Sequence, residues 1–292
     1  MAKKKFFCWQ IKLTLLSTLA LIALTTSKGA AHLSLDNPKT VVDARPAVPS
    51  SVPQNSQPQP STPPPIQFKR PPLSPRGAPG NRKGGGTRDG HSCSALEINE
   101  RLLALVPVES EPEISNIWGL TVATSPVFWF YVPYLPKDIK AGELELWDET
   151  DRNPRNYQQI YQGTFTVTET PGIISLKLPA TVKVESDKNY HWYLSLDINC
   201  NNQIQSVDVN GWIQRAKLNN ISSVGQQSSQ RERVMWYAEN GIWYDAITEL
   251  AQMQHSLQQA DNFITDWQKL LRDAGLEELT NKPISNCCTL AP

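Results

Sequence analysis

Histidine is the side chain best suited to acid–base chemistry near neutral pH, and this chain of 292 residues has four. His32, His91 and His255 lie in polar or in proline- and glycine-rich stretches. His191 alone lies on a predicted strand, where the alternation of side chains puts it on the face opposite Tyr190 and Trp192. We therefore expect His191 to face solvent, and a role as catalytic base is the alternative.

The sequence motifs of common enzymes do not occur in this chain. There is no Gly-x-Ser-x-Gly, no His-Glu-x-x-His and no glycine-rich dinucleotide fingerprint after a strand. Calcium binding by Asp148, Glu149 and Asp151 would rest on spacing alone. The enzymatic hypothesis that remains is a hydrolase with an unrecognised site near His191 and Asp197. No catalytic residue, cofactor or metal ligand is predicted.

The five cysteines offer a second kind of chemistry. Cys8 lies in the predicted leader peptide, and its removal leaves an even number, as expected of disulfides in an exported chain. The remaining four are Cys93, Cys200, Cys287 and Cys288. A bond between the adjacent Cys287 and Cys288 would be strained, since neighbouring Cα atoms are about 3.8 Å apart. We therefore expect one to reach Cys200 and the other Cys93, with a zinc site as the alternative.

A basic, glycine-rich segment provides a third candidate. Between Lys69 and Arg88 there are six basic residues and no acidic ones. A phosphate-binding loop would place lysine after the glycines, whereas Lys83 precedes Gly84. Glycine-rich backbone with cations can still bind anions, so the candidate anion-binding or docking residues are Arg76, Arg82, Lys83 and Arg88. A solvated basic lead-in is the simpler interpretation.

The first 75 residues are predicted to be a leader peptide followed by a linker. Residues 1–31 have the parts of a secretory signal peptide: Lys3–Lys5, the apolar stretch Leu13–Leu24 and small residues at Gly29–Ala31. As a helix the apolar stretch would span only about 18 Å, so we expect cleavage that leaves no transmembrane span, with a retained anchor as the alternative. Residues 32–75 hold 12 of the 23 prolines and are expected to form a disordered linker.

The core-forming residues lie later, where eight of the nine tryptophans occur. After the lead-in (residues 76–100), residues 101–220 contain seven or eight short alternating or apolar runs. Among them, Leu120–Ala123 is predicted to be a strand, and the wholly apolar Val127–Val132 is predicted to be a strand buried on both faces. This pattern is typical of an antiparallel β-sandwich of the immunoglobulin or fibronectin type III kind. Tyr190 opens a late strand, as the corner tyrosine of such domains does, and its hydroxyl is expected to bond to the upstream backbone.

Helical spacing of apolar residues appears after residue 220. Val234–Leu250 resembles one helix–turn–helix unit of a tetratricopeptide repeat, with Gly241 at the turn. One such unit cannot bury its own apolar face. Residues 221–292 are therefore expected to form a short helical unit that packs on the sandwich.

The charge balance limits the class of partner. Lys and Arg total 28, the same as Asp and Glu, so the formal net charge is zero. No global field favours nucleic acid, which we exclude as a main partner. A protein or a glycan of the cell envelope remains. Exposed aromatic side chains are the best candidates for the contact, and we predict Tyr131, Tyr134 and Trp212 for this role.

Several sequence blocks occur in a specific order along the chain. They are Arg76–Gly80, Gly84–Arg88, Leu103–Pro107, Phe128–Tyr134, Pro171–Leu176, Gly211–Arg215, Gly241–Ala246 and the closing Cys287-Cys288. Together they resemble the domain of unknown function DUF928, a family found chiefly in cyanobacteria, over about Arg76 to Cys288. The resemblance implies an exported cyanobacterial protein. It carries no established activity, so no functional residue is transferred.

These observations favour a non-enzymatic binding protein of the periplasm or cell envelope. The sequence predicts a leader, a linker and a sandwich, and it shows no recognisable catalytic set. The alternatives are the hydrolase near His191 and Asp197 and a structural spacer of the envelope. A spacer predicts that the length of residues 32–75 matters more than any point change in the domain.

Overall fold

The structure is a computed structural model that describes residues 64–72, 77–84, 100–110, 115–200, 203–217, 228–254 and 260–290. The strands in these ranges are β1 (Leu103–Ala104), β2 (Val108–Ser110), β3 (Ser115–Thr121), β4 (Val127–Val132), β5 (Ile139–Asp148), β6 (Gln158–Phe165), β7 (Gly172–Lys177), β8 (Asn189–Cys200) and β9 (Gln203–Arg215). The helices there are α1 (Gln230–Glu239), α2 (Trp243–Met253) and α3 (Ala260–Asp273). This part of the chain is mainly β, as predicted. The predicted leader lies outside the described residues.

Two sheets form the body of the domain. The smaller sheet has the order β1-β4-β7, and the larger has the order β2-β3-β9-β8-β5-β6. The paired strands are antiparallel except β3 and β9, which run parallel with Trp118 opposite Trp212. The prediction of a purely antiparallel body is wrong at this pair. A parallel pair needs a long connection, and local alternation of side chains does not reveal so distant a partner.

Aromatic rings fill the interior between the sheets. Trp192 of β8 is fully buried, and its ring centroid lies 5.9 Å from that of Phe128 and 5.6 Å from that of Phe130, both on β4. The second face of β4 is covered by α2, where Trp129 Nε1 donates to Thr248 Oγ1 at 2.9 Å. The predicted burial of β4 on both faces is therefore confirmed. The odd-numbered residues of β8 are left on the outer face of the larger sheet.

A tyrosine fixes the turn that leads into β8. Tyr190 is buried, and the Glu185 N–H donates to its hydroxyl at 3.0 Å. Asp187 between them has φ 64°, the left-handed conformation that tight turns use. The amide of Glu185 is thus the upstream backbone group that meets the hydroxyl of Tyr190.

The helices pack against the sheets through α2. The turn between α1 and α2 contains Gly241 at φ 71°, a conformation that favours glycine. Trp243 Nε1 donates to the Leu105 carbonyl at 2.7 Å, and Trp192 Nε1 donates to the Tyr244 hydroxyl at 2.8 Å. These bonds anchor the hairpin on the strands. None of the helices in the described ranges is long and apolar enough to cross a membrane.

Residues 64–72, which we call the strap, run in extended form against the helices. Ile66 is fully buried, and the ring of Phe68 meets a tryptophan of α2 edge-on with 5.0 Å between centroids. The Lys69 N–H donates to the Ala238 carbonyl at 3.0 Å. The prediction of a disordered linker is therefore wrong for the strap. Its two buried apolar side chains and its backbone hydrogen bonds contribute to the ordering, and a count of prolines reveals neither.

Two of the predicted anion-binding residues contact groups near the end of α3. Arg82 donates to two backbone carbonyls just after α3, at 3.0 and 2.7 Å. Lys83 Nζ lies 3.0 Å from a carboxylate oxygen of Glu278. Arg82 is thus used within the fold, whereas Lys83 forms an ion pair whose two side chains are each 51% exposed, and its docking role stays a prediction. The other two candidates, Arg76 and Arg88, lie outside the described residues.

The cysteine pairing differs from the prediction. Cys287 and Cys288 are bonded to each other, with Cα atoms 3.7 Å apart and a φ of 78° at Cys288. The left-handed residue turns the chain so that the two sulfurs meet, which an argument from Cα spacing overlooks. Cys200 is also disulfide-bonded. The predicted role of Cys93 lies outside the described residues.

Backbone pairing, rather than a long-range disulfide from Cys287 or Cys288, holds the C-terminal residues on the body. Ile284 pairs with Ile173 of β7 in the smaller sheet, and Leu290 pairs with Phe165 of β6 in the larger sheet. Residues 284–290 therefore connect the two sheets along one side.

Candidate ligand-binding site

A row of aromatic side chains crosses the outer face of the larger sheet. The register of the strands places Trp147 of β5, His191 of β8, Trp212 of β9 and Trp118 of β3 side by side on neighbouring strands. We call these four residues the aromatic row. Their position follows from the two-residue period of a strand, which puts all of them opposite the core.

His191 is buried within this row. It is 8% exposed, and its ring stacks on Trp212 with centroids 4.3 Å apart and 16° between the planes. Nδ1 lies 3.1 Å from Glu149 Oε1 and 2.7 Å from the Tyr193 hydroxyl, and Nε2 lies 3.1 Å from Asn210 Oδ1. The prediction of a solvent-facing histidine is wrong, because side chains from neighbouring strands cover it.

Glu149 places a buried carboxyl group in this cluster. It is 7% exposed, and its Oε1 also accepts from the Tyr193 hydroxyl at 3.4 Å. Burial, and after it the charge of Glu149, raises the pKa of Tyr193 well above its ordinary value. The Tyr193 hydroxyl therefore stays protonated and remains a hydrogen-bond donor throughout the physiological range.

A groove of about 750 Å³ opens over the aromatic row. Much of its lining is aromatic or acidic: Trp147, Tyr157, Tyr193, Glu145, Glu149 and Asp208. Among the twelve described residues that line it, none is Lys or Arg. Glu145 accepts from Trp147 Nε1 at 2.7 Å and from Gln159 Nε2 at 3.1 Å, which fixes the indole in place. The groove therefore combines ring faces and edges with carboxylate acceptors.

Residues 77–84, which we call the lead segment, form one wall of the groove. The Pro79 carbonyl accepts from Trp212 Nε1 at 2.9 Å, and Asn81 pairs with Asn210 of β9. A Cβ on Gly80 would lie 2.8 Å from the Asn210 carbonyl oxygen, so this close approach requires glycine. The glycines of the lead segment thus serve backbone packing beside the site, a role that their composition alone did not suggest.

The predicted pairing of His191 with Asp197 is wrong. Six residues along one strand separate their Cα atoms by roughly 20 Å. Asp197 accepts a hydrogen bond from Ser206 Oγ, and it does not line the groove. The carboxylate that meets His191 is Glu149, which follows β5 and is brought in by the β5–β8 pairing.

The predicted contact aromatics are not exposed. Tyr131 and Tyr134 are buried, and the Tyr131 hydroxyl donates to Glu100, which also pairs with Lys282. Tyr131 lies on β4, which is covered on both faces, and Tyr134 follows that strand closely, so the apolar run there indicates core rather than surface. Trp212 is also buried, yet it lies in the aromatic row and lines the groove.

The carboxylates of the acidic loop after β5 are bonded to other groups of this chain. Asp148 pairs with Lys188 Nζ at 3.0 Å, and Asp151 accepts from the Asn153 N–H at 2.8 Å. In the described part of the chain, no group of three or more His, Cys, Asp or Glu side chains is arranged to hold a metal ion. These acidic residues are close in the sequence, but their carboxylate oxygens do not converge on one point. The calcium site considered from their spacing is therefore not formed.

One protein-family model matches residues 83–284 of this chain, which is more than half of its length. The description of that model is Domain of Unknown Function (DUF928). No curated protein matches the chain, and no solved structure matches it.

Proposed function

The chain belongs to the DUF928 family, whose function is unknown, and we propose that it is an exported, non-enzymatic binding protein with a glycan as its ligand. The observation that carries the proposal is the groove over the aromatic row. Ring faces suit the C–H faces of sugars, and carboxylates accept from sugar hydroxyls. A concave site with convergent polar groups is the default place for a ligand.

The position of the groove favours a glycan over a peptide. It lies on β5, β8 and β9, and β8 and β5 have paired neighbours on both sides. Their backbone donors and acceptors are used by the sheet, so a peptide cannot add there as a further strand. A ligand must be recognised by side chains, which is the mode that sugar rings and hydroxyls allow.

The geometry of His191 argues against the hydrolase alternative. A general base needs a nitrogen free to take a proton from substrate or water. Both nitrogens of His191 are within hydrogen-bond distance of side chains of this chain, and its ring is stacked and buried. These contacts suit a residue that fixes Tyr193 and Asn210 in the wall of a binding groove.

We further infer that the body is immunoglobulin-like. In such sandwiches strands B and E share one sheet, and G, F, C and C′ form the other. The neighbours β4-β7 and β9-β8-β5-β6 support this assignment, as does Tyr190 at the start of β8.

The α1–α2 hairpin, with Gly241 at its turn, is likewise proposed to be tetratricopeptide-like. Superposition of an experimental structure on both folds tests this, and a different strand connectivity would refute it.

Export is inferred from the leader-like residues 1–31. The bond between Cys287 and Cys288 supports it, since disulfides persist mainly in oxidising compartments. N-terminal sequencing of the protein recovered from the cell envelope tests export. A chain that keeps Met1 and stays in the cytosol would contradict it.

A glycan array followed by calorimetry tests the binding function. We expect the full chain to bind at least one glycan, and Trp147→Ala to weaken that binding about tenfold or more, because buried aromatic anchors dominate recognition. Trp236→Ala is the matched control, since Trp236 is a half-buried tryptophan on α1 outside the groove lining. Absence of any bound glycan, or equal loss in both variants, would refute the proposal.

A further inference from the structure

We propose that the bond between Cys287 and Cys288 is a site of thiol–disulfide exchange, and that its reduction by a dithiol releases residues 284–290 from the two sheets. We call residues 284–290 the clasp. The proposal goes beyond the proposed function, since it concerns the state of the fold and not the ligand of the groove. It is carried by the place of the bond, which lies between the two points where the clasp pairs with the sheets.

The clasp is anchored at both ends. At one end, Ile284 pairs with Ile173 of β7, and the Ser285 N–H donates to the Ile173 carbonyl at 2.8 Å. At the other end, Leu290 is buried and pairs with Phe165 of β6. The disulfide lies between these anchors, so the backbone conformation of its two residues decides whether the clasp can reach β7 and β6 at the same time.

The first anchor fits β7 closely. The Ile173 N–H donates to the Pro283 carbonyl at 2.8 Å, just before the clasp begins. A Cβ on Gly172 would overlap Ser285 Oγ, so the clasp passes this strand at a distance that requires glycine. A clasp that moves away from β7 therefore loses the hydrogen bonds that both backbone groups of Ile173 make with it.

The disulfide holds Cys288 in an uncommon backbone conformation. Its φ is 78°, in the left-handed region that residues with a Cβ rarely adopt. Adjacent cysteines close the smallest loop that a disulfide can close, so this bond adds little stability through the entropy of the unfolded chain. Its main effect is therefore local, on the turn at Cys288. Once the bond is broken, Cys288 returns to a common conformation, and the path between the two anchors changes.

The exchange needs only a dithiol as the second reactant. Cys287 and Cys288 are both partly exposed, so a thiolate can reach their sulfurs. One thiolate of the dithiol attacks one of the two sulfurs, and the other cysteine leaves as a thiolate. The second thiol of the dithiol then attacks the mixed disulfide. Both cysteines end as thiols and the dithiol ends as a disulfide, so two electrons and two protons have passed to the protein.

Hydrogen exchange of the full chain, followed by NMR spectroscopy, tests the proposal with dithiothreitol as the dithiol. We expect reduction to speed the exchange of the Ile173 and Ser285 amides at least about tenfold, because each loses its hydrogen-bond acceptor. The amides of Leu196 and Val207 are the control. These two residues pair with each other inside the larger sheet, and their amides should stay protected after reduction.

Variants assign the effect to this bond. Cys287→Ser together with Cys288→Ser should show fast exchange at Ile173 and Ser285 without a reductant. Dithiothreitol should add no further change in this double variant, although the disulfide of Cys200 is still present. Thr289→Ala is the matched control within the clasp, since Thr289 is exposed, and it should respond to dithiothreitol as the parent does.

Alkylation followed by mass spectrometry reports whether Cys287 and Cys288 have been reduced. A reduced pair with unchanged exchange at Ile173 and Ser285 would overturn the proposal, and so would a bond that stays intact in excess dithiothreitol. Loss of protection at Leu196 and Val207 as well would show general unfolding, which also contradicts a local release. None of these outcomes depends on glycan binding, so the proposed function is tested separately.

Discussion

Single side chains decide what the outer face of the larger sheet can do. His191 lies between Trp212 and Tyr193, and its nitrogens meet Glu149 and Asn210. A buried polar group that finds all of its partners stiffens its surroundings, and one that loses a partner is costly. His191 therefore holds the walls of the groove in a fixed arrangement before any ligand arrives.

A second residue cluster predicts how stability depends on pH. Burial, and after it the bond to Glu100, raises the pKa of Tyr131 to about 12. Tyrosine in the unfolded chain ionises near pH 10. Protonated Tyr131 therefore stabilises the folded state fully below pH 10, and this stabilisation is lost as the pH rises towards 12. We expect Tyr131→Phe to lose less of its unfolding free energy than the parent between pH 10 and 11.5, as measured by urea titration.

The same comparison between pH 7 and 9 is the control. In that range Tyr131 is protonated in the folded and in the unfolded state. The difference in unfolding free energy between Tyr131→Phe and the parent should therefore not change with pH. Parallel loss of stability by the two proteins above pH 10 would contradict the prediction.

The sequence predicted which way the residues of β8 point, but not what covers them. Alternation put Tyr190 and Trp192 inside and His191 outside, and the structure agrees. The burial of His191 depends on Trp147 and Trp212, which lie on other strands and are brought beside it by pairing. Local periodicity contains no information on such distant neighbours, so the groove could not be assembled from the sequence alone.

At the level of elements, the corner before β8 offers the clearest stability test. We expect Tyr190→Phe to lower the free energy of unfolding by about 1 kcal/mol, because the Glu185 N–H loses its partner while the ring stays in the core. Tyr237→Phe is the control, since its hydroxyl forms no hydrogen bond with the described residues. Equal unfolding free energies of parent and Tyr190→Phe in denaturant titration would refute the role of this bond.

Elements with strong local signals were predicted well. The apolar run of β4 was predicted with the bounds that the structure gives, Val127–Val132. β3 was placed at Leu120–Ala123, whereas it begins at Ser115, since its parallel partner β9 rather than an alternating pattern fixes its extent. The strap was missed because Ile66 and Phe68 lie among prolines, and their burial depends on helices far along the chain.

For the whole molecule, the strap divides the proline-rich tract into two parts. We expect a chain that lacks residues 1–63 to melt at the same temperature as the full chain. A chain that lacks residues 1–72 should melt at least about 5 °C lower, because Ile66 and Phe68 leave cavities in the core. Differential scanning calorimetry measures both.

These two truncations also test the spacer alternative. If the groove carries the function, removal of residues 1–63 leaves glycan binding intact, and the length of the tract is secondary. Equal melting temperatures of the two truncated chains would contradict the role assigned to the strap.

Hydrogen bonds join residues near the start of the described chain to residues near its end. Arg231 binds the Pro64 carbonyl across 167 residues, and Arg82 binds Gly275 across 193. Such distant contacts slow folding, because the chain loses the entropy of large loops before the contacts form. During synthesis the strap and the lead segment therefore cannot complete these contacts until α1 and the residues after α3 have been made. The segments that are synthesised first thus cannot reach their final positions before the end of the chain is made.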